Sequence, residues 1–400
     1  MTLLRHIYRR TIRQMQTNDV AVLRISPGHK TAVIKRETDL LTNEELLQHS
    51  TLADAAILEE LQTWHGHRCF RRQWKKDAYN VMDSRFVAKW KIVEDTSGKK
   101  RIIRMRMALR GFKDLEADRL ANYSATTSRL SQRLLNSEAA VHDDFVEVSI
   151  DIQKAFLQGL SYDELAQLTG EPRRHVAFTL PKGAAAQLRK IKGYEDFSEE
   201  LEVLECTKPG TGCKDAPRAF NMKLATVTRS PKLGLCPTTM DGELEIQHDG
   251  RNLTAALGKH VDDVKIIGKE KNVDSIVQAI EAVFGKVTSS KKDGQMSDFV
   301  NCGVRHQRLP DGSVSMDQDE YIAALKLIRS EEIRSAKSTD ACSPALHSLY
   351  SSLLGAVAYA MLTQSWLSCF VIAMQRVTHN PLVIHAKRLN IIVRAMQADR

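Results

Sequence analysis

The chain has 400 residues, of which 58 are basic and 49 acidic, so it carries a net charge of +9 and has a pI near 9.1. This length suffices for two or three subdomains around a sizeable core, and the basic balance suits a polyanionic partner. Seven cysteines without a CxxC pair, and no recognisable secretory signal, argue against a disulfide-rich secreted protein. We therefore expect an intracellular protein of the cytoplasm or nucleus, with no membrane partner.

Residues 1–83 are predicted to form a helical and basic N-terminal extension. The first twenty are rich in arginine and contain no acidic residue before Asp19. Two interpretations stay open: a targeting peptide, or a junction left by a truncated element or a loose arm that touches nucleic acid. Apolar residues then recur at helical spacing from Leu40 to Trp64, which predicts a helix.

From Ser84 the chain becomes strongly basic. Ten lysines and arginines between residues 85 and 113 are accompanied by only two acids, Glu94 and Asp95. Apolar and basic residues alternate along 86–92 and 101–109, and the intervening residues are typical of a turn, so the sequence predicts a β-hairpin. One face of this hairpin would present a row of cations. That bias favours phosphate binding, with generic contact to a template backbone as the alternative.

Two stretches place carboxylates at the ends of predicted strands. Residues 146–150 alternate between apolar and polar, so a strand is predicted to end at Asp151, with a helical turn after it. Residues 257–268 have apolar residues on both sides of Asp262 and Asp263, which predicts two strands joined by a tight turn. Aspartate is common in turns, and an ordinary turn is therefore the simplest interpretation of the second stretch alone.

Taken together, the two stretches predict a site for hard metal ions. Asp151 beside a hairpin that carries Asp262 and Asp263 would supply three carboxylates, which Mg²⁺ or Mn²⁺ prefers to nitrogen or sulfur ligands. Two such ions can stabilise the attacking and leaving oxygens of an in-line phosphoryl transfer. This is the chemistry of a nucleotide polymerase.

The remaining segments give weaker signals. Gly210 and Gly212 precede a predicted helix and allow close backbone approach to a ligand. A helix is predicted over residues 271–284, and a hairpin is predicted from 298–305 and 313–316. Residues 353–374 carry no charge, which suits a membrane span by length but also two short buried helices. We favour the second interpretation.

Several of these motifs, in this order, resemble the reverse transcriptase domain of copia-type (Ty1/copia) LTR retrotransposons. Residues 151–159 match the motif in which a strand ends in an aspartate, and residues 260–263, His-Val-Asp-Asp, match the family's Tyr-Val-Asp-Asp. Residues 212–218 match its Gly-Leu-Lys-Gln-Ala-Pro-Arg segment at Gly212, Lys214, Ala216, Pro217 and Arg218. Gly210 and Thr211 replace the usual Leu-Tyr before it. The resemblance runs from about Phe86 to the C-terminus.

The resemblance implies an α+β right-hand polymerase fold. Residues 84–320 would form the basic fingers hairpin and a palm with an antiparallel sheet, and residues 321–400 a helical, thumb-like segment. The function implied is RNA-directed DNA synthesis from an RNA template, a DNA primer and dNTPs, with two Mg²⁺ or Mn²⁺ ions. The family's full Pol polyprotein also carries integrase and RNase H, whose patterns we do not find. A fragment, a degenerate copy or a domesticated polymerase core is therefore expected.

Individual roles follow from the same resemblance. Asp151, Asp262 and Asp263 would be the catalytic metal ligands. Nucleotide contacts are implied for Lys100, Arg106 or Arg104, Phe156 and Gly212, with Phe156 excluding a ribose 2′-OH; plain core packing is the alternative for Phe156. Template or primer contacts are implied for Lys214, Arg218 and His260. The rival hypothesis is a catalytically inactive relic that only binds nucleic acid.

Overall fold

A computed structural model describes residues 40–95, 98–292, 295–296 and 298–399. The arginine-rich residues 1–20 lie outside this part of the chain. In chain order the helices are α1 Asn43–Gln48, α2 Ser50–Gly66, α3 Arg129–Val141, α4 Tyr162–Thr169, α5 Ala185–Leu188, α6 Ala216–Thr228, α7 Glu270–Phe284, α8 Asp319–Ala324, α9 Glu331–Ser335, α10 Pro344–Ala360, α11 Ser368–Gln375 and α12 Val383–Ala398.

The strands form a mixed α/β structure with mainly antiparallel sheets. In chain order they are β1 Phe70–Trp74, β2 Val81–Asp95, β3 Gly98–Leu109, β4 Phe145–Asp151, β5 Ala177–Thr179, β6 Glu202–Cys206, β7 Cys236–Pro237, β8 Leu244–Asp249, β9 Asn252–His260, β10 Asp263–Lys269, β11 Thr288–Ser289, β12 Lys291–Lys292, β13 Gln295–Met296, β14 Phe299–Asn301, β15 Val304–Arg308 and β16 Val314–Asp317.

The first sheet has the order β1-β6-β5-β2-β3 and contains the predicted basic hairpin. Strands β2 and β3 pair antiparallel from Ser84↔Leu109 out to Asp95↔Gly98, while β2 and β5 run parallel. Apolar residues on one face of the hairpin pack against α2, where Ala53 and Ala56 contact Ile103 and Met105. The strong alternation in the sequence therefore produces one buried face and one outer face.

The second sheet has the order β11-β4-β10-β9-β8-β7. One face carries Val148, Ile150, Val264 and Ile266 and is covered by α6 and α7 in a continuous apolar core. The other face packs against α3, where Leu135 and Ala139 contact residues of β4, β8, β9 and β10. Because both faces are covered, the residues of the central strands are mostly buried, including the charged Glu147, Lys259 and Lys265.

A third sheet, β14-β15-β16, lies next to a separate helical core. That core is built from α8 to α12 and includes Ile322, Tyr350, Val357, Leu389 and Val393. The predicted C-terminal segment 321–400 thus has apolar packing of its own. Each of its helices contributes a buried stripe to this core, except α9, whose partly buried Ile333 packs at the edge.

The structure corrects two sequence expectations. The helix predicted over residues 40–64 is interrupted at His49, where a non-helical backbone (φ −115°, ψ 34°) ends the short α1 before α2 begins. The segment predicted as one strand over 298–305 is divided into β14 and β15 by a turn at Cys302 and Gly303. The uncharged stretch 353–374 is divided between α10 and α11, which agrees with the favoured interpretation as two helices. Among the described residues, no helix is long and apolar enough to cross a membrane.

Candidate active site

The two acidic stretches meet at one end of the second sheet. Strand β4 ends at Asp151, and the antiparallel register with β10 places Asp263 directly opposite it. Paired residues on neighbouring antiparallel strands have Cα atoms about 4.5–5.5 Å apart, so these two carboxylates share one face of the sheet. The predicted convergence of the acids across adjacent strands therefore agrees with the register.

Asp262 occupies the turn between β9 and β10. His260 and Asp263 form the last pair of the hairpin, which leaves Val261 and Asp262 as the two turn residues. Val261 has φ 59°, a left-handed conformation that is costly for a β-branched residue. The Asp262 carbonyl accepts a hydrogen bond of 3.3 Å from the Ile152 N–H, which fixes the turn to the end of β4.

Like charges perturb the titration of two of these acids. Burial and the nearby Asp262 carboxylate raise the pKa of Asp151, and the charges of Arg104 and Arg106 oppose that rise. Burial and Asp262 also raise the pKa of Asp263, to which Asp151 contributes as well. The backbone N–H of Cys302 and the His260 side chain favour the charged form of Asp263 and lower its pKa. The three acids thus form one electrostatic unit.

The donor atoms suit a hard cation, but the protein supplies only part of a coordination shell. Among the residues that the structure describes, no group of three or more His, Cys, Asp or Glu side chains is arranged to hold a metal ion. Mg²⁺ is commonly held by one or two carboxylates together with water and substrate phosphates, rather than by a complete protein cage. The exposed Asp151 and Asp262 and the half-buried Asp263 fit a site of that second kind.

Two arginines of the hairpin act electrostatically on Asp151. Arg104 and Arg106 lie on the outer face of β3, opposite Lys89 and Val87 of β2, and both are exposed. Lys100 shares this face by alternation, but it lies four residues nearer the tip of the hairpin, about 13 Å from Arg104 along the strand. The charges of Arg104 and Arg106 therefore act on Asp151, whereas Lys100 lies further out toward the tip of the hairpin.

Phe156 and Gly212 both have packing partners within the fold. Phe156 lies in the 3-10 turn Ala155–Gln158, is half-buried, and contacts the apolar cores beneath both the first and the second sheet. Gly212 has φ +96°, and a Cβ atom there would overlap the backbone of Leu109. The close backbone approach predicted for Gly212 is therefore made to β3, and its exposed side remains open to a ligand.

The other predicted contact residues surround this region. Arg218, near the start of α6, forms an ion pair of 3.0 Å with Glu171, and it also donates to the Ala121 carbonyl. Lys214 lies half-buried just before the same helix. His260 is half-buried, and its Nδ1 atom has no hydrogen-bond partner among the described residues. A ligand could satisfy that nitrogen.

Sequence reasoning missed a buried charged cluster beside Asp263. Two residues along β10, Lys265 forms an ion pair with Glu147 of β4, and both side chains are almost completely buried. The Lys265 Nζ atom lies 3.4 Å from Nδ1 of His306 on β15 and 5.9 Å from the ring centroid of Phe299 on β14. This cluster fixes the third sheet to the acidic face of the second sheet. The sequence signal was a lysine inside an otherwise apolar strand.

Comparisons with known proteins find distant structural similarities, of which two are given below. No family model matches the chain, and no curated protein matches it. The structure of a foamy viral protease-reverse transcriptase in complex with double-stranded DNA is similar with a TM-score of 0.38 and 11% identity over 97% of this chain. An apo telomerase from Candida Tropicalis is similar with a TM-score of 0.34 and 9% identity over 67% of this chain. The chain spans 63% and 60% of the length of these two proteins.

Proposed function

We propose that this protein is an RNA-directed DNA polymerase, the reverse transcriptase of a copia-like retroelement. In this proposal the first sheet is the fingers, the second sheet is the palm, and α8 to α12 form a thumb-like segment. The observation that carries the proposal is the cross-strand pair of Asp151 and Asp263 with Asp262 in the adjoining turn, facing Arg104 and Arg106. A structural role alone does not account for three carboxylates that are close enough to repel one another.

The proposed reaction is nucleotidyl transfer to a DNA primer. The primer 3′-hydroxyl gives its proton to a solvent water, and its oxygen forms a bond to the α-phosphorus of a dNTP. The bond from that phosphorus to the oxygen that bridges to the β-phosphate breaks, and pyrophosphate leaves. Asp151, Asp262 and Asp263 would hold two Mg²⁺ or Mn²⁺ ions, which supply charge neutralisation at the attacking and leaving oxygens. Arg104 and Arg106 would bind the triphosphate and balance its charge as pyrophosphate departs.

The remaining residues have binding roles in this proposal. Phe156 would lie under the sugar of the incoming nucleotide, where an aromatic ring excludes a 2′-hydroxyl. The exposed side of Gly212 would contact the same nucleotide, and Lys100 would contact phosphate near the tip of the hairpin. Lys214, Arg218 and His260 would contact template or primer, with the hairpin's outer cations supplying most of the salt-dependent affinity.

Primer extension on an RNA template tests the proposal. We expect the purified protein to extend a DNA primer with dNTPs and Mg²⁺ or Mn²⁺, and Asp262→Asn to abolish extension while template binding is largely kept. Asp249→Asn is the matched control, because Asp249 is an exposed aspartate at the opposite end of the same β8–β9–β10 array. Full extension by Asp262→Asn would refute the assignment of the acids.

The rival hypothesis, a relic that only binds nucleic acid, is separated by the same assay. The exposed cationic face of β2 and β3 suits backbone binding whether or not the acids are active. That hypothesis predicts salt-dependent binding of RNA and DNA, no extension with either metal ion, and identical behaviour of wild type and Asp262→Asn. Extension by the wild type that is lost in Asp262→Asn would exclude it.

A further inference from the structure

The residues that follow Asp151 form a turn that carries a cation toward the end of α2. Lys154 precedes the 3-10 turn Ala155–Gln158, is exposed, and donates a hydrogen bond of 2.8 Å from Nζ to Thr63 Oγ1 of α2. Arg68 follows the same helix and is also exposed. Both cations have positive φ, 54° and 53°, a conformation that only two other non-glycine residues adopt in the described part of the chain. Two strained positions of the fold therefore carry neighbouring positive charges.

Lys208 joins these cations from the residues after β6. The Thr207 hydroxyl donates a hydrogen bond to the Arg68 carbonyl, and the Thr207 N–H donates to the Cys69 carbonyl at 3.0 Å. The Thr207 carbonyl accepts a hydrogen bond of 2.9 Å from the Tyr162 N–H. The residue next to Lys208 is thus bonded both to the end of α2 and to the start of α4.

Lys223 joins them from α6. Its Nζ atom lies 5.4 Å from the ring centroid of Phe284, at the end of α7. The Gln158 side chain, at the end of the 3-10 turn, donates a hydrogen bond of 3.0 Å to the Phe284 carbonyl. Phe284 therefore contacts both Lys223 and the turn that begins after Lys154. We call this set the second cationic surface, and it consists of Arg68, Lys154, Lys208 and Lys223.

The charges of the second cationic surface repel one another and have no acidic partner. None of its four members forms an ion pair with any residue that the structure describes. Burial, and then the charge of Lys208, lower the pKa of Lys223, and Glu164 opposes that shift. The Glu164 carboxylate already accepts a hydrogen bond of 2.7 Å from the Ser161 N–H. Cations that repel in this way are stabilised when a bound anion neutralises them.

The second cationic surface extends onto the side of the second sheet that the acids do not face. Lys223 belongs to α6, which covers the face of the sheet that carries Val264. Asp263 is the neighbour of Val264 along β10, so its side chain points to the opposite face. An anion bound at the second cationic surface would therefore occupy a different place from a substrate bound at the acids.

We propose that the second cationic surface binds the phosphate backbone of a nucleic acid strand, outside the acidic site. Lysine and arginine bind phosphates by charge and without reading the bases, so the binding would be independent of sequence and dependent on salt. A lipid surface is less favoured. None of the exposed large apolar residues in the described chain lies within the contributing segments 63–68, 154–162, 207–208 and 219–223, so a membrane would find no apolar anchor there. The inference does not depend on the proposed polymerase activity.

Direct RNA binding without divalent ions tests the inference. Lys154→Gln with Lys208→Gln removes two charges from loop positions, and fluorescence anisotropy with a single-stranded RNA should show roughly ten- to thirtyfold weaker binding near 0.1 M salt. The slope of log K against log salt should become shallower by about 1.4, which corresponds to two lost phosphate contacts. Lys190→Gln with Lys192→Gln is the matched control, because it removes the same charge from exposed positions elsewhere, and it should bind like the wild type. Equal losses in the two double variants, or wild-type affinity in the first, would overturn the site.

Lys223→Met separates binding from stability. Methionine keeps an apolar side chain over Phe284 and removes a charge that burial and Lys208 disfavour. We expect this variant to unfold at a higher temperature than the wild type in the absence of nucleic acid, and to bind RNA several-fold more weakly. A residue with a structural role alone would not change stability and affinity in opposite directions. Wild-type RNA affinity in Lys223→Met would remove this lysine from the proposed site and contradict the inference.

Vesicles that contain phosphatidylserine are the second probe, because they present anionic headgroups without a nucleic acid backbone. We expect Lys154→Gln with Lys208→Gln to weaken RNA binding far more than vesicle binding. If the same substitutions abolished vesicle binding and left RNA binding unchanged, the ligand would be a lipid surface and the proposal would be wrong.

Discussion

The buried ion pair beside the acids gives the sharpest stability prediction. Lys265 is 2% exposed and Glu147 is 7% exposed, and burial lowers the pKa of Lys265 while the Glu147 charge opposes that shift. Removing one partner of such a pair leaves an uncompensated charge and costs about 3–5 kcal/mol. Because a folded domain has a total stability of about 5–15 kcal/mol, Lys265→Met should lower the urea midpoint strongly.

The double variant shows whether the cost comes from the unpaired charge. Replacing both members by apolar residues of similar size is often neutral or stabilising. We therefore expect Lys265→Met with Glu147→Leu to lie within about 2 kcal/mol of the wild type, well above either single variant. A double variant as unstable as the sum of the two single variants would refute this account of the cluster.

The pH dependence of the single variant gives an independent check. Burial, and then the Lys265 charge, lower the pKa of His306 to about 3, so the wild-type folded state binds fewer protons than the unfolded state between about pH 3 and 6.5. Wild-type stability therefore falls as the pH drops below 6.5. In Lys265→Met the charge that repels the proton is gone, and His306 Nδ1 lies 3.9 Å from the unpaired Glu147.

The His306 pKa should consequently rise in the variant, and a protonated His306 can replace the lost lysine. A histidine whose folded pKa is raised contributes stability at low pH that is lost as the pH increases. The destabilisation by Lys265→Met should thus be smaller at pH 6 than at pH 8, by up to about 1 kcal/mol. Urea unfolding at both pH values measures this, and an equal or larger cost at pH 6 would refute the reasoning.

Three further predictions concern the acidic site. Phe156→Ala should raise ribonucleotide incorporation by roughly 10–100-fold in competition with dNTPs, and an unchanged ratio would leave Phe156 as a packing residue only. His260→Tyr should raise extension most at mildly acid pH, because it removes a side chain that can carry positive charge there; equal effects across pH would contradict this cause. Asp263→Asn should raise stability at pH 7 without divalent ions by on the order of 1 kcal/mol, since the raised Asp263 pKa means that the folded carboxylate is destabilised above it. That gain should vanish near pH 3 in thermal unfolding, where both states are protonated.

The basic hairpin and the meeting of the acids could be predicted because both depend on local patterns. Alternation of apolar and basic residues determines which face of β3 is buried, and the same periodicity ends β4 at Asp151. The two-residue turn then limits how far Asp262 and Asp263 can lie from the strand ends. What could not be predicted is which cations reach the acids, because Lys100, Arg104 and Arg106 share one face and only the packing of the two sheets distinguishes them.

Buried charges were beyond sequence reasoning for a physical reason. Lys and Glu are almost always exposed unless they are paired, and no local pattern shows which residue of a neighbouring strand will be the partner. Lys265 with Glu147 is one case. Lys259 with Glu245 is another, since both side chains are fully buried and their atoms lie 2.7 Å apart on the α6 side of the sheet. Each lysine was part of an apolar strand that the sequence correctly predicted.

The turn at Cys302 and Gly303 was missed because its signal is short. In the run Asn301, Cys302 and Gly303, only the glycine adopts a positive φ without a steric cost. The sequence therefore favours a continuous strand there over a two-residue turn. Tertiary contacts from Tyr359 and Gln318 stabilise the less favourable conformation. The conformation of this turn was therefore determined by long-range contacts, which a single sequence does not display.

Unfavourable local features are concentrated at one turn of the second sheet. Val261 adopts a conformation that glycine or asparagine would adopt more easily. Burial and neighbouring carboxylates raise the pKa values of Asp151 and Asp263. The Nδ1 atom of His260 lacks a partner among the described residues. A turn that only connected two strands would be more stable without all of these. Strain and repulsion of this kind persist where bound cations and substrate phosphates offset them. The energetics of the turn therefore favour a ligand-binding acidic site over a connecting loop, independently of any resemblance in sequence.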